Sequence, residues 1–216
     1  MHKLFMSSNS IWGSIKMIEV SERKHFISDN KATPHLPGEV GIWVFIFGDM
    51  LMFAAFFVSY LVDRSSNMEL YNVSQSNLSI KIGVINTLVL LTSSLFVALG
   101  VNSVRKSRNK IIASIYIALA FCCGVLFIVN KYFEWSGKVD IGLTLTTNEY
   151  FIYYYVLTGV HLLHVLIGLF VLGYMWYLSR SDTALKHYVS FETGATYWHM
   201  VDLLWLVIFP LLYVVR

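Results

Sequence analysis

Residues 150–178 read YFIYYYVLTGVHLLHVLIGLFVLGYMWYL, a run of 29 residues without a charged side chain. An α-helix rises about 1.5 Å per residue, so about 20 apolar residues cross a hydrocarbon core of about 30 Å. The run is apolar on every face and lacks the period-two alternation of a membrane barrel strand. It therefore predicts a membrane-spanning helix that is long enough to tilt or to extend beyond the bilayer.

Four other stretches, at about 40–62, 82–104, 111–130 and 195–215, have the same character, and only Asp49 and Asp202 are charged within the five. The whole chain of 216 residues is 13% charged, whereas soluble domains average about 25%. This distribution excludes an ordinary soluble domain and a disordered chain. We predict an all-α, polytopic membrane protein, a five-transmembrane-helix bundle. The predicted helices span about 40–62, 82–104, 111–133, 150–178 and 195–215.

The Lys and Arg residues predict the orientation of the bundle, because cytoplasmic loops carry the excess of positive charge. With the N-terminus cytoplasmic and the C-terminus outside, eleven Lys and Arg lie inside and five outside. The inner ones are Lys3, Lys16, Arg23, Lys24, Lys31, Arg105, Lys106, Arg108, Lys110, Arg180 and Lys186. The outer ones are Arg64, Lys81, Lys131, Lys138 and Arg216. The net charge of +3 therefore needs no nucleic-acid partner.

The segments outside the predicted helices are polar. Residues 1–38 are predicted to form a cytoplasmic N-terminal tail, either mobile or anchored at the interface, before a membrane domain at 39–216. The segments Ser65–Ser79 and Ser136–Asn148 are predicted to be polar connectors. Cys122 and Cys123 are adjacent in the third helix, where neighbouring side chains diverge, so they predict neither a disulfide nor a zinc site.

Asp49 lies near the middle of the first predicted helix, and ionisable residues within a span usually face protein and mark function. We expect a buried structural carboxyl that bonds to another helix, with proton handling as the alternative. The small residues Gly41, Gly48 and Ala55 recur every seven positions and predict close packing along this helix.

The fourth and fifth predicted helices carry the other polar groups. His161 and His164 lie three residues apart, and Glu192, His199 and Asp202 continue as a stripe in the next helix. We interpret both as hydrogen-bonding groups between these two helices. The alternative interpretation is a metal or haem site formed by these residues. However, the spans hold only three histidines and no His-Glu-x-x-His motif. Lys131 and Glu134 are predicted to pair at the outer end of the third helix.

These motifs together resemble the subunit III family of the haem–copper oxidases. The runs GVHLLHVLIG (159–168) and ETGATYWHMVDLLW (192–205) are similar to its two signature helices. The run FIFGDMLMF (45–53) is similar to its carboxylate-bearing helix, and FEW (133–135) to its Glu-aromatic helix end. The resemblance covers residues 37–216 in order and fits the five-helix bacterial forms. PGEVGIW (37–43) followed by GDM (48–50) resembles the nitric oxide reductase accessory branch; subunit III of a quinol or cytochrome c oxidase is the alternative.

The resemblance implies a non-catalytic subunit of the plasma membrane that packs beside catalytic subunit I and binds structural phospholipids. It also implies support of proton uptake and turnover stability, with haem and copper held only by partner subunits. No catalytic, cofactor-binding or metal residue is therefore assigned. The family usually has glutamate where this chain has Asp49. The family-motif residues with structural or proton-related roles are Asp49, Glu134, His161, His164, Glu192, Trp198, His199 and Asp202.

Two other function classes fit the sequence less well. A stand-alone proton channel or transporter would use Asp49 and the histidines of the fourth helix as a relay, but inverted repeats and paired broken helices are missing from the sequence. An intramembrane metalloenzyme would need a fuller ligand set than the spans provide.

Overall fold

The computed structural model describes residues 40–105, 110–181 and 187–215, and within these ranges it is helical without strands. Five long apolar helices confirm the predicted all-α membrane bundle. The predicted tail at 1–38 lies outside the described residues, and the orientation of the termini stays a prediction. The helices are α1 (Val40–Ser66), α2 (Met68–Ser76), α3 (Ile80–Arg105), α4 (Lys110–Asp140), α5 (Glu149–Ser179) and α6 (Tyr188–Phe209).

The spanning helices extend past the apolar stretches that predict them. α4 runs to Asp140, and α6 begins at Tyr188, seven residues before the predicted start at 195. The chain then continues as a π-helix from Pro210 to Val214, closed by a 2.9 Å bond from the Val215 amide to the Pro210 carbonyl. Helix ends outside the hydrocarbon core tolerate polar residues, so hydropathy alone underestimates their length.

The predicted connector at 65–79 is wrong in part, because α2 lies within it. Tyr71 of α2 is fully buried, with its ring 5.4 Å from that of Tyr60 and 5.7 Å from that of Tyr150. The short helix therefore owes its stability to an aromatic contact with α1 and α5 rather than to an apolar pattern of its own. Burial, together with the nearby Asp63 carboxylate, raises the pKa of the Tyr71 hydroxyl.

α1 uses a different face from the predicted one to pack on the bundle. A Cβ atom built on Gly41 or Gly48 meets no neighbouring atom within 4 Å, and Ala55 is exposed. The predicted close packing along this small-residue stripe is therefore wrong within the described chain. Phe53 and Tyr60, which also recur at a spacing of seven, are fully buried instead. Periodicity identifies a stripe but not the side of the helix that meets the core.

The centre of the bundle is a tryptophan held between two glycines. Trp198 of α6 is fully buried, and a Cβ on Gly168 of α5 would lie 2.6 Å from its ring. A Cβ on Gly124 of α4 would lie 2.9 Å from the same ring. The indole nitrogen donates to the Ser93 hydroxyl of α3 at 3.1 Å. Trp198 thus connects four helices, which explains the small residues facing it.

Candidate intramembrane polar site

Asp49 and His164 form a polar contact between α1 and α5. Asp49 Oδ1 lies 3.1 Å from His164 Nε2, and the two side chains are 7% and 8% exposed, respectively. The edge of the imidazole packs on Phe53, with ring centroids 5.6 Å apart. The second oxygen, Asp49 Oδ2, is buried and lacks a hydrogen-bond partner among the described residues. The expectation that Asp49 bonds to another helix is met, and the partner is a histidine.

The geometry of His164 sets how protons are shared in this pair. His164 Nδ1 lies 2.8 Å from the Val160 carbonyl, which can only accept, so Nδ1 carries a proton. Nε2 then carries a lone pair unless the imidazole is cationic. The contact therefore holds one proton, either on the Asp49 carboxyl or on His164 Nε2.

His161 lies one turn earlier on α5 but has different neighbours. Its ring is fully buried against Phe127, at 5.5 Å, and Trp205, at 5.2 Å. Neither ring nitrogen has a hydrogen-bond partner among the described residues. His161 is therefore an aromatic packing element there, and a hydrogen-bonded relay from Asp49 through both histidines is interrupted at this residue.

The polar stripe of α6 faces α3 rather than α5. His199 Nδ1 lies 2.5 Å from the Ser94 hydroxyl, and Trp205 Nε1 donates to Thr87 at 3.0 Å. The prediction that these polar side chains bond between the fourth and fifth spans is therefore wrong for His164 and His199, whose side chains bond to α1 and α3 instead. One polar link between α5 and α6 is a 3.2 Å bond from the Tyr197 hydroxyl to the His164 carbonyl. A stripe on one helix does not reveal which neighbour it meets.

Glu192 and Asp202 lie at different depths on α6, ten residues or about 15 Å apart along the axis. Glu192 is half-buried in the second turn of the helix, beside Tyr188. The Asp202 side chain lies beside Ser94 and is 4% exposed as a residue. Neither Asp202 carboxyl oxygen has a hydrogen bond of normal geometry among the described residues.

The third polar cluster surrounds Lys131 near the other end of the bundle. Its ammonium donates to Glu134 at 3.0 Å and to Tyr213 at 2.8 Å, and lies 3.3 Å from the Tyr154 hydroxyl. Tyr213 in turn donates to the other Glu134 oxygen at 2.6 Å. Lys131 is fully buried and Glu134 is 5% exposed. The predicted pairing of Lys131 with Glu134 is confirmed, and it joins α4 to α5 and to the π-helix.

Sequence reasoning missed the polar contacts that hold the end of α6. Tyr60 donates to the Leu211 carbonyl at 3.2 Å and Tyr150 to the Leu212 carbonyl at 2.7 Å. Arg64 donates to the Val215 carbonyl at 2.5 Å. The last carbonyls of a helix have no partner within the helix, so side chains from α1 and α5 satisfy them here. A tyrosine at the end of a span gives only a weak signal of this role.

Metal ligands do not come together in the part of the chain that the structure describes. Across residues 40–105, 110–181 and 187–215, no three His, Cys, Asp or Glu side chains are placed so that they could hold one ion. His161, His164 and His199 instead have three separate sets of neighbours.

The Asp202 carboxyl, which lacks a hydrogen bond of normal geometry among the described residues, gives a stability prediction. Asp202→Leu should leave the thermal stability of the folded protein unchanged or raised, because it removes a buried polar group without a normal hydrogen bond. His199→Leu should lower the stability by about 0.6 kcal/mol, an average interhelical bond, because it removes the bond between His199 and Ser94. Thermal unfolding in one mild detergent compares them, and a clear loss of stability in Asp202→Leu would contradict the prediction.

The fold and the polar contacts define a class of protein: a multi-pass helical membrane protein whose intramembrane polar groups hold its own helices together. The family model for cytochrome c oxidase subunit III matches residues 15–215. The chain therefore belongs to the cytochrome c oxidase subunit III family.

Individual relatives agree with this assignment. Cytochrome c oxidase subunit 3 of Thermostichus vulcanus is 32% identical over 178 residues, covering 81% of this chain and 86% of the relative. Cytochrome bo(3) ubiquinol oxidase subunit 3 of Buchnera aphidicola subsp. Schizaphis graminum is 26% identical over 178 residues, covering 80% and 91%. The haem–copper oxidase subunit I+III of Aeropyrum pernix is 26% identical over 212 residues, covering 95% of this chain and 26% of the relative.

Membership of this family makes the chain a membrane subunit of a haem–copper oxidase in respiratory electron transport, and it implies association with the catalytic subunit I. The relatives above are oxidase subunits by name. The similarity to the nitric oxide reductase accessory branch stays a prediction.

Proposed function

We propose that the chain is a non-catalytic subunit that supports the assembly and turnover stability of a respiratory oxidase in the bacterial plasma membrane. The observation that carries the proposal is the family match over residues 15–215. The geometry supports it, because the Asp49–His164, Ser94–His199 and Lys131–Tyr154 contacts join helices of the same chain. Structural phospholipids belong to the proposal, and haem and copper are assigned to partner subunits.

We extend the proposal to proton uptake through one pair only. Asp49 Oδ1 and His164 Nε2 lie 3.1 Å apart in a buried site, so a hydrogen bond between them carries one proton. The support is chemical: a carboxyl and an imidazole that exchange one proton are suited to buffer protons near a partner's entry path. Asp49→Asn keeps a donor for His164 Nε2 and removes the titratable carboxyl.

The test is the decay of oxidase activity during continuous turnover. The complex depleted of this chain should keep its haem content and its initial rate but lose activity in fewer turnovers than the complete complex. Adding back the wild-type chain should restore the lifetime, and Asp49→Asn should restore assembly while sustaining fewer turnovers than the wild type. Equal lifetimes with and without the chain would contradict the proposal.

A further inference from the structure

A polar pair of side chains, Ser94 and His199, lies on the outside of the bundle where α3 meets α6. Both side chains are partly exposed, and each residue lies within two positions of the middle of its span. The other histidines of the spans, His161 and His164, are buried, with 0% and 7% of their surface exposed. At His199 an imidazole therefore reaches the surface of the bundle at the depth where a bilayer is most apolar.

The surroundings of this polar pair are apolar. On α6, Leu203 and Leu206 follow His199 by four and seven residues, which places them on the same face of the helix. They are 49% and 41% exposed, and Leu91 and Leu95 of α3 are 43% and 57% exposed. We name these four leucines and the polar pair the α3–α6 surface. In a bilayer this surface would meet hydrocarbon, which offers no hydrogen bond.

His199 uses one of its two ring nitrogens inside the chain. Nδ1 lies 2.5 Å from the Ser94 hydroxyl, whereas Nε2 has no hydrogen bond to the described residues. Asp202, one turn further along α6, has two buried carboxyl oxygens that also lack a partner in the described chain. Unpaired polar groups are costly in hydrocarbon, so we expect a group that forms hydrogen bonds to cover the α3–α6 surface.

The tautomer of His199 decides which kind of side chain fits Nε2. The Ser94 hydroxyl either donates to Nδ1 or accepts from it, so Nε2 donates in one tautomer and accepts in the other. An ammonium group only donates and a carboxylate only accepts, whereas a hydroxyl or an amide does both. The matching group is therefore a hydroxyl or an amide on an otherwise apolar helix.

We propose that the α3–α6 surface contacts a membrane helix of the catalytic subunit I, with a hydroxyl or amide side chain of that helix bonded to His199 Nε2. The inference rests on the proposed function, in which this chain accompanies subunit I. It adds the contact surface and the chemical group that is recognised. The relative from Aeropyrum pernix is named subunit I+III and so joins the two subunit names in one chain.

Photocrosslinking in the assembled complex tests the contact surface. A benzophenone side chain placed at Leu95 or Leu203 should form a covalent product with subunit I, identified by the mass of its peptides. The matched controls place the same side chain on α1, α4 and α5, at Leu51, Leu126 and Leu163. These leucines are 56%, 47% and 55% exposed and lie within three positions of the middle of their spans.

The controls should react with lipid rather than with subunit I. The proposal is overturned if Leu95 and Leu203 yield products only with lipid or with a second copy of this chain. It is also overturned if a control position yields as much product with subunit I as Leu95 and Leu203 do.

Two amide variants separate the contact with the partner from the contact inside the chain. The asparagine amide extends about as far as Nδ1, and the glutamine amide about as far as Nε2. His199→Asn should keep the bond to Ser94 but lower the haem co-purified per chain about threefold, the factor for one average interhelical hydrogen bond in a membrane. His199→Gln should keep the haem and lower the thermal stability of the free chain. Equal haem content in the two variants, or more haem with His199→Asn, overturns the proposal.

The haem content of the wild-type preparation distinguishes the two levels of the proposal. A haem-containing complex in which Leu95 and Leu203 do not crosslink to subunit I refutes the contact surface and leaves the proposed function intact. A wild-type preparation without haem subunits refutes the proposed function itself.

Discussion

Glu134→Leu should cost the folded protein about 3–5 kcal/mol, because it leaves the Lys131 ammonium buried without its counter-charge. Lys131 is fully buried, and besides Glu134 its nitrogen contacts the hydroxyls of Tyr154 and Tyr213. Neutral hydroxyls solvate a cation but cannot neutralise it. The measurement is thermal unfolding of the purified protein in mild detergent, together with the yield of protein inserted in membranes.

A double variant makes this prediction specific to the ion pair. Lys131→Met combined with Glu134→Leu should recover most of the lost stability, because an apolar pair of similar volume replaces a buried ion pair at little cost. Lys81→Met, which removes an exposed cation, should have little effect. If the double variant is no more stable than Glu134→Leu alone, the two residues do not act as a pair.

Gly168→Ala should destabilise the bundle by about 1–3 kcal/mol, because the added methyl group overlaps the Trp198 ring. A Cβ at this position would lie 2.6 Å from the indole, which is fully buried and fixed by its bond to Ser93. The same ring also lies close to Gly124 of α4, where a built Cβ would be 2.9 Å away. Unfolding temperature in detergent is the measurement.

The Trp198→Leu background tests the cause of this effect. Leucine does not extend to the ring atoms that meet the Gly168 Cβ, so Gly168→Ala should cost far less there than in the wild type. Gly137→Ala adds the same methyl group to open space and should be neutral. An equal cost of Gly168→Ala in both backgrounds would show that the backbone, and not the indole, is responsible.

The sequence predicted those features that depend on composition and on local spacing. Five runs of apolar residues predict five spanning helices because a bilayer sets their length. Lys131 and Glu134 pair because residues three apart on a helix are neighbours whatever the rest of the fold does. The motifs around 159–168 and 192–205 predicted the family, which the comparisons confirm.

The features that sequence reasoning missed depend on which helices become neighbours. His164 bonds to Asp49, 115 positions earlier, and His199 bonds to Ser94, 105 positions earlier. The spacing of residues along one helix does not indicate which other helix His164 or His199 will contact. The same holds for α2, whose Tyr71 is buried only because Tyr60 and Tyr150 approach it. The small-residue stripe of α1 predicts close packing, but Phe53 and Tyr60 recur at the same spacing of seven. The spacing alone therefore does not show which face of the helix meets the core.

The polar groups of the bundle have a common consequence for its surface. The cation of Lys131 and the indole of Trp198 each find partners inside the chain. Large apolar residues such as Phe47, Leu51 and Phe170 remain exposed on the outside. A membrane protein whose polar groups have partners inside and whose outer surface is apolar can contact lipid or a neighbouring subunit over that surface. No unpaired charge then lies at the contact.

The haem content of the affinity-purified protein tests the central claim, membership of a respiratory oxidase complex, most directly. The full chain, tagged and solubilised in a mild detergent from cells grown under respiratory conditions, should carry haem-containing subunits in a fixed ratio, detected by absorption spectra and by the mass of the co-purified polypeptides. Recovery of the folded chain without haem and without partner subunits would contradict the claim.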